Sequence, residues 1–219
     1  MALQNLINVG VTAADVVMLG KVSEKVLSGA SLAGQIQYIM VLFLFGLTSG
    51  ATVLTAQYWG KGDKTAIEKI LALGIRSAVI VTAIFTIAAF TIPASLMRIF
   101  TNDPQVIAEG VKYLRIVACS YIIMGITNVY LYVMRSIERV IVATVIYLVS
   151  FLCNVVFNAI LFWIIWIPSS WNRGAAIATL IARIMELVLV CGYAKIYNKD
   201  VKFRVHYFLH QDKLLVRDF

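Results

Sequence analysis

Charge is scarce in this sequence. Lys and Arg number 19 and Asp and Glu 11 among 219 residues, 14% together, where a soluble domain carries about 25%. So few ionic groups cannot coat a surface against water, which excludes a soluble enzyme and a free nucleic-acid-binding domain. Histidine is scarcer still, with two residues. His206 and His210 have the i, i+4 spacing of a helical ligand pair, but no third ligand is in view and metal sites need three or four. The three cysteines, Cys119, Cys153 and Cys191, all lie inside apolar runs. There cysteine behaves as a small hydrophobe, not as part of a disulfide framework. The opening MALQNLINVGVTAADVVMLG lacks the basic n-region and small-residue cleavage site of a signal peptide. No nucleophile with its base stands among the apolar runs, so an enzyme is not expected.

Hydrophobic side chains, by contrast, make up 61% of the chain, and its mean hydropathy is +0.89. Runs between charged or Pro/Gly-containing breaks delimit six candidate helices near 1–19, 30–58, 66–97, 106–134, 140–167 and 174–196. A bilayer span needs about 20 residues, so the chain accommodates six spans and not twelve. The period-two alternation of barrel strands is absent. The expected fold class is an all-α membrane protein, a six-transmembrane-helix bundle. The first run starts at residue 1 and is interrupted by Asn5, Asn8 and Asp15; it reads as a helix whose beginning is missing.

The net charge of +8 acquires meaning from where the charges lie. Eleven of the 19 basic residues, among them Lys61, Arg135 and Lys195, fall in the connections after the second, fourth and sixth runs and in the tail. Four, Lys21, Lys25, Arg98 and Arg173, fall on the other side. Cytoplasmic loops carry the excess of Lys and Arg, so the N-terminus and the tail are expected inside, in an inner or plasma membrane. No nucleic-acid partner is needed to explain the charge. The basic, aromatic-interleaved tail over 198–219 reads as a cytoplasmic linker lying at the membrane surface and leading towards a further segment.

Polar groups inside spans are costly and face the bundle interior or water, so each is a candidate site. Asn8, Thr12 and Asp15 follow i, i+4, i+7 spacing and form one stripe on the first helix. A carboxylate partly removed from water can exchange a proton near neutral pH or hold a small cation; the competing reading is an Asp15 that merely pairs with a neighbouring amide or caps a loop. Asn154 and Asn158 share a face of the fifth helix, and Thr179 lies near the outer end of the sixth. Together with Asp15 they are expected to converge on one hydrated pocket, although interhelical hydrogen bonding alone also accounts for Asn and Thr in a membrane. Asn128, between Tyr121 and Tyr132, is a candidate for a cavity wall. Gly46 and Gly50 have small-xxx-small spacing suited to close helix packing. Arg183 and Glu186, at i, i+3, are expected to pair with each other.

The segments ADVVMLG, KVSEKVLSGASLAGQI, GLTSGATVLTAQYWGKGD and RGAAIATLIAR resemble the N-terminal half of MATE transporters, the multidrug and toxic compound extrusion family. The resemblance runs over essentially the whole chain. It implies that residues 1–197 are one six-helix lobe of a twelve-helix exporter driven by a proton or sodium gradient, with residues 198–219 as the linker to a second lobe absent here. It implies that Asp15 is the first-helix acidic residue of a proton or sodium site that Asn154 and Thr179 join. Asn158 stands where some branches have aspartate, which leaves one carboxylate in the cluster. Asn8 and Asn128 fall near positions that line a drug cavity. The expected partners are a small drug-like substrate, membrane lipid and the second lobe, with H⁺ or Na⁺ as coupling ion and no other cofactor. Two other readings stand beside this one: a lipid-linked precursor flippase of the same superfamily, and a non-transporting truncated membrane subunit.

Overall fold

The computed structural model describes residues 24–164, 171–198, 201 and 207. The first candidate span, with Asn8 and Asp15, lies outside the described residues, as do His206 and His210. Among the described residues all regular structure is helical. The elements are α1 (Glu24–Gly60), α2 (Lys64–Thr91), α3 (Pro93–Arg98), α4 (Pro104–Ala118), α5 (Tyr121–Ser136), α6 (Val140–Ile164) and α7 (Trp171–Ile196).

Local chemistry sets the boundaries. Between α1 and α2 the chain turns through Gly62 at φ 74°, a left-handed conformation that glycine adopts without strain. Asp63 then caps α2, its Oδ1 accepting from the Ala66 amide at 3.0 Å. Pro93 has no amide hydrogen to continue the helical ladder, so the expected 66–97 run divides into α2 and the short α3. Asp103 caps α4 by accepting from the Gln105 amide at 2.8 Å, with Pro104 at the first helical position.

The run expected as one helix over 106–134 is broken into α4 and α5, bent by 51°. No proline causes the break. At the joint the Cys119 and Ser120 amides donate to Ile116 and Val117, three residues back, at 3.2 and 2.8 Å, and the Ser120 hydroxyl donates to Val117 O at 2.7 Å. A side chain competing for the helix's own carbonyls is a recognised source of kinks. The Ala118 carbonyl released by the bend accepts from the Thr86 hydroxyl of α2 at 3.4 Å, so a neighbouring helix replaces the lost acceptor.

By length and composition α1, α2, α6 and α7 can each cross a membrane, and α4 with α5 supplies a fifth span when the bent pair counts as one. Unlike a soluble protein, the bundle is apolar on its outside as well as in its core, and a few polar groups are enclosed. Ile80, Ile84 and Ile87 repeat along one face of α2 and are 55–61% exposed, as are Phe43 and Val188 at 60% and 57%, while Glu186 and Asn154 are buried at 0% and 3%. An apolar exterior with isolated polar groups turned inward is stable in hydrocarbon and unstable in water.

Helix α1 packs on α2, α4 and α5, while α6 and α7 pair and join the rest through the contacts of α7 with α4 and α5 and of α6 with α5. The α1–α4 crossing is a backbone contact: a Cβ on Gly29 would stand 2.7 Å from the Gly110 nitrogen and 2.9 Å from the Val106 carbonyl oxygen. Gly46, expected to serve such packing, is exposed and has no neighbouring atom within 4 Å of where its Cβ would stand, among the described residues. Its spacing marks a small-residue face; the close approach occurs one stretch earlier.

Gly29→Ala is therefore expected to destabilise by about 1–3 kcal/mol, because backbone atoms cannot yield to the added methyl. Gly34→Ala, with nothing within 4 Å of its Cβ position among the described residues, is expected to be neutral or to gain up to about 1 kcal/mol of helix propensity. Thermal unfolding of both variants in detergent checks this sign difference.

Candidate functional site

Helix α6 is almost continuously apolar, VIVATVIYLVSFLCNVVFNAILFWI, and its buried polar side chains fall at Tyr147, Ser150, Asn154 and Asn158. Intervals of three and four keep them on one face. The two amides bond directly: Asn158 Nδ2 donates to Asn154 Oδ1 at 3.1 Å, and both residues are buried. In a low-dielectric interior an amide is expensive to leave unpaired, so this face is committed to polar partners.

Helix α7 runs antiparallel to α6, and Ser150 pins their register. Its hydroxyl donates to Ala182 O at 3.2 Å and reaches Glu186 Oε2 at 3.5 Å. Each residue advances a helix by about 1.5 Å. Asn154 is four residues beyond Ser150 and Thr179 three before Ala182, so Thr179 and Asn154 lie within about 2 Å of each other in height. Asn158 stands about 6 Å further along. The structure thus brings three of the sequence candidates, Asn154, Asn158 and Thr179, to one stretch of the α6–α7 pair. Thr179 donates to Ala175 O of its own helix at 3.1 Å, which leaves its oxygen directed as an acceptor.

Other threonines of the bundle are bonded in the same way: the buried Thr48 and Thr82 and the half-buried Thr86 donate to carbonyls four residues back at 2.7–2.8 Å. What distinguishes Thr179 is its level with the amide pair.

Asn128 occupies a different level. Its Oδ1 accepts from the Tyr147 hydroxyl at 2.9 Å, joining α5 to α6 one turn below Ser150. Arg135 lies over the Tyr132 and Tyr147 rings at 4.5 and 5.4 Å from their centroids, a cation–π arrangement. Arg183 and Glu186 pair as expected, Nη1 to Oε2 at 2.7 Å. Sequence reasoning did not single out Ser150 or Tyr147; their spacing of four and seven from Asn154 is the periodic signal that includes them. Near the start of the tail, Asn198 donates to the Tyr130 hydroxyl at 3.0 Å and accepts from the Val201 amide at 3.1 Å. Asn198 and Val201 are both buried.

The sequence profile of the MatE family matches residues 1–160. A probable multidrug resistance protein NorM of Thermotoga maritima is 27% identical over 176 residues, covering 78% of this chain and 37% of its own. A second, from Agrobacterium fabrum, is 22% identical over 206 residues, covering 91% of this chain and 43% of its own. A MATE family multidrug resistance transporter of the MOP superfamily, solved in an outward-facing conformation, superposes with a TM-score of 0.88 at 17% identity. That match takes in 100% of this chain and 48% of the other. The likeness to the solved structure is one of fold. The chain spans about two fifths of the length of these curated relatives.

Leucine at either Asn154 or Asn158 should lower unfolding free energy by about 1–3 kcal/mol, through loss of a buried partner. The double variant should lose less than the sum by about 1 kcal/mol. A double-mutant cycle in detergent measures the coupling, and additive losses would show that the two amides do not act as a pair.

Proposed function

The chain belongs to the MatE family, and from that premise we propose that it is one lobe of a cation-coupled exporter of organic, often cationic, compounds. Residues 1–197 form the lobe and residues 198–219 a cytoplasmic linker towards a second lobe. The buried amide pair Asn154–Asn158, level with Thr179 across the α6–α7 contact, is the observation that supports a coupling site here. It gathers oxygen acceptors inside a bundle whose outer face is apolar, where a small cation or a proton on a nearby carboxylate finds partners that lipid does not offer.

Asp15, placed by family resemblance, supplies the charge. In the proposed cycle it takes H⁺ or Na⁺ from the outer side. The occupied site favours the state that releases substrate outward, and the reciprocal bias follows because both ligands act on one conformational equilibrium. Asn8 and Asn128 belong to the substrate side of this reading. Alternating access rocks one bundle against another around a shared site, so residues 1–219 act together with a second six-helix lobe. The basic excess on the connections after α1 and α5 orients the multi-pass chain with those loops inside a cell membrane.

In a two-lobed transporter carrying this lobe, Asp15→Asn is expected to abolish gradient-driven efflux of a cationic dye while membrane insertion stays intact. Unchanged efflux would remove Asp15 from the mechanism. Expression of residues 1–219 alone should give no efflux in the same assay, and resistance or efflux from them alone would overturn the two-lobe requirement.

A further inference from the structure

Glu186 is the most deeply enclosed acidic group among the described residues, at 0% exposure in the middle of a span. One carboxylate oxygen, Oε2, accepts from Arg183 at 2.7 Å and lies 3.5 Å from the Ser150 hydroxyl. The other, Oε1, is buried and has no hydrogen-bond partner among the described residues. A half-satisfied carboxylate in hydrocarbon is an unusual arrangement, because each lone pair withdrawn from water needs a donor. The two members of the ion pair also differ in freedom. Glu186 is fully enclosed, while the Arg183 side chain is 23% exposed and its long stem can carry the guanidinium away.

We propose that Glu186 is a second proton-binding site of this lobe, occupied by either Arg183 or a proton. When a proton from water forms the O–H bond, the carboxyl becomes neutral, the Arg183–Glu186 pair opens, and the guanidinium, which keeps its own protons, swings away from the carboxylate along α7 while keeping its other interactions. A proton needs no ligand beyond the carboxylate itself, whereas a metal cation needs several oxygens around it, and among the described residues no cluster of acidic or other metal-ligating side chains surrounds Glu186.

The groups around the carboxylate fit this exchange. Arg183 lies on its own helix. From α6 come the Ser150 hydroxyl and Tyr147, whose ring lies under the Arg135 guanidinium. From α5 come Arg135 and Tyr132, stacked beside Tyr147, with Asn128 bonded to the Tyr147 hydroxyl. On α4, the remaining helix packed on α7, Glu109 and Lys112 pair with each other at 2.5 Å, and Arg115 is exposed.

Position gives the site its role. Ser150, which touches Glu186, starts the polar face that continues through Asn154 and Asn158, about 6 and 12 Å further along α6. Glu186 therefore stands at the inner end of that face, and supplies the second intramembrane carboxylate that Asn158 does not provide. This role rests on the coupling reading above, although its test does not use transport.

Residues 1–219 in lipid nanodiscs, acidified in an infrared cell, should develop the C=O band of a protonated glutamic acid. The band should survive Asp15→Asn and be lost in Glu186→Gln. Arg183→Gln keeps the carboxyl and removes its competitor, so the band should grow at a given pH, an outcome that does not depend on Glu186→Gln folding. A band unchanged in Glu186→Gln, or no larger in Arg183→Gln, would overturn the proposal. Replacement of the acid-induced change by one that sodium produces at fixed pH would overturn it as well, in favour of a metal cation. Intact efflux in Asp15→Asn would sink the coupling reading and leave the infrared result standing, so the two failures are separable.

Discussion

Every backbone and side-chain polar group placed in hydrocarbon must find its partner within the protein, and the rest of this structure follows from that constraint. It accounts for the helical architecture, since a helix pairs its own amides and carbonyls. It also accounts for the way irregularities are repaired. The joint between α4 and α5 costs helical hydrogen bonds, and the repair comes from the Ser120 hydroxyl and from Thr86 on a neighbouring helix. Turns and caps carry the same signature: Asp63 and Asp103 each meet an amide that the first turn of a helix leaves without a partner. The sites of interest are then the few places where a polar group exceeds what the fold requires.

By that standard Thr48 and Thr82 are silent and the face of α6 is not. A hydroxyl returned to its own helix is fully accounted for. The amides of Asn154 and Asn158 and the carboxylate of Glu186 are large groups brought to the contact between two helices, where leucine or alanine would pack at lower desolvation cost. Their concentration on α6 and α7, with Tyr147, Asn128 and Arg135 on the same side, gives the bundle a polar seam inside an apolar exterior.

The helical architecture and most of this seam were legible in the residues. Run length and the absence of alternation point to membrane helices, and the i, i+4 spacing of Asn154 and Asn158 places both on one face before any packing is known. The i, i+3 spacing of Arg183 and Glu186 likewise announces their ion pair. Register was not legible. That Ser150 meets Ala182, and so brings Thr179 level with Asn154, depends on how two antiparallel helices slide against each other, and no local pattern encodes that. The bend after Ala118 was hidden because no proline marks it. Spacing reveals a small-residue face at Gly46 and Gly50 without revealing which helix lies against it, whereas Gly29 is identified by the backbone it touches.

The direct bond between Asn158 and Asn154 joins two residues one turn apart on a single helix. Their separation is set by the rise of α6 itself, and no rotation of one bundle against another can lengthen it. The amide pair thus behaves as a rigid ruler. Whatever changes around it during a transport cycle must arrive on other helices, so the information about conformation is carried by the distance from this ruler to α7 and to the first span, and never by the ruler's own length.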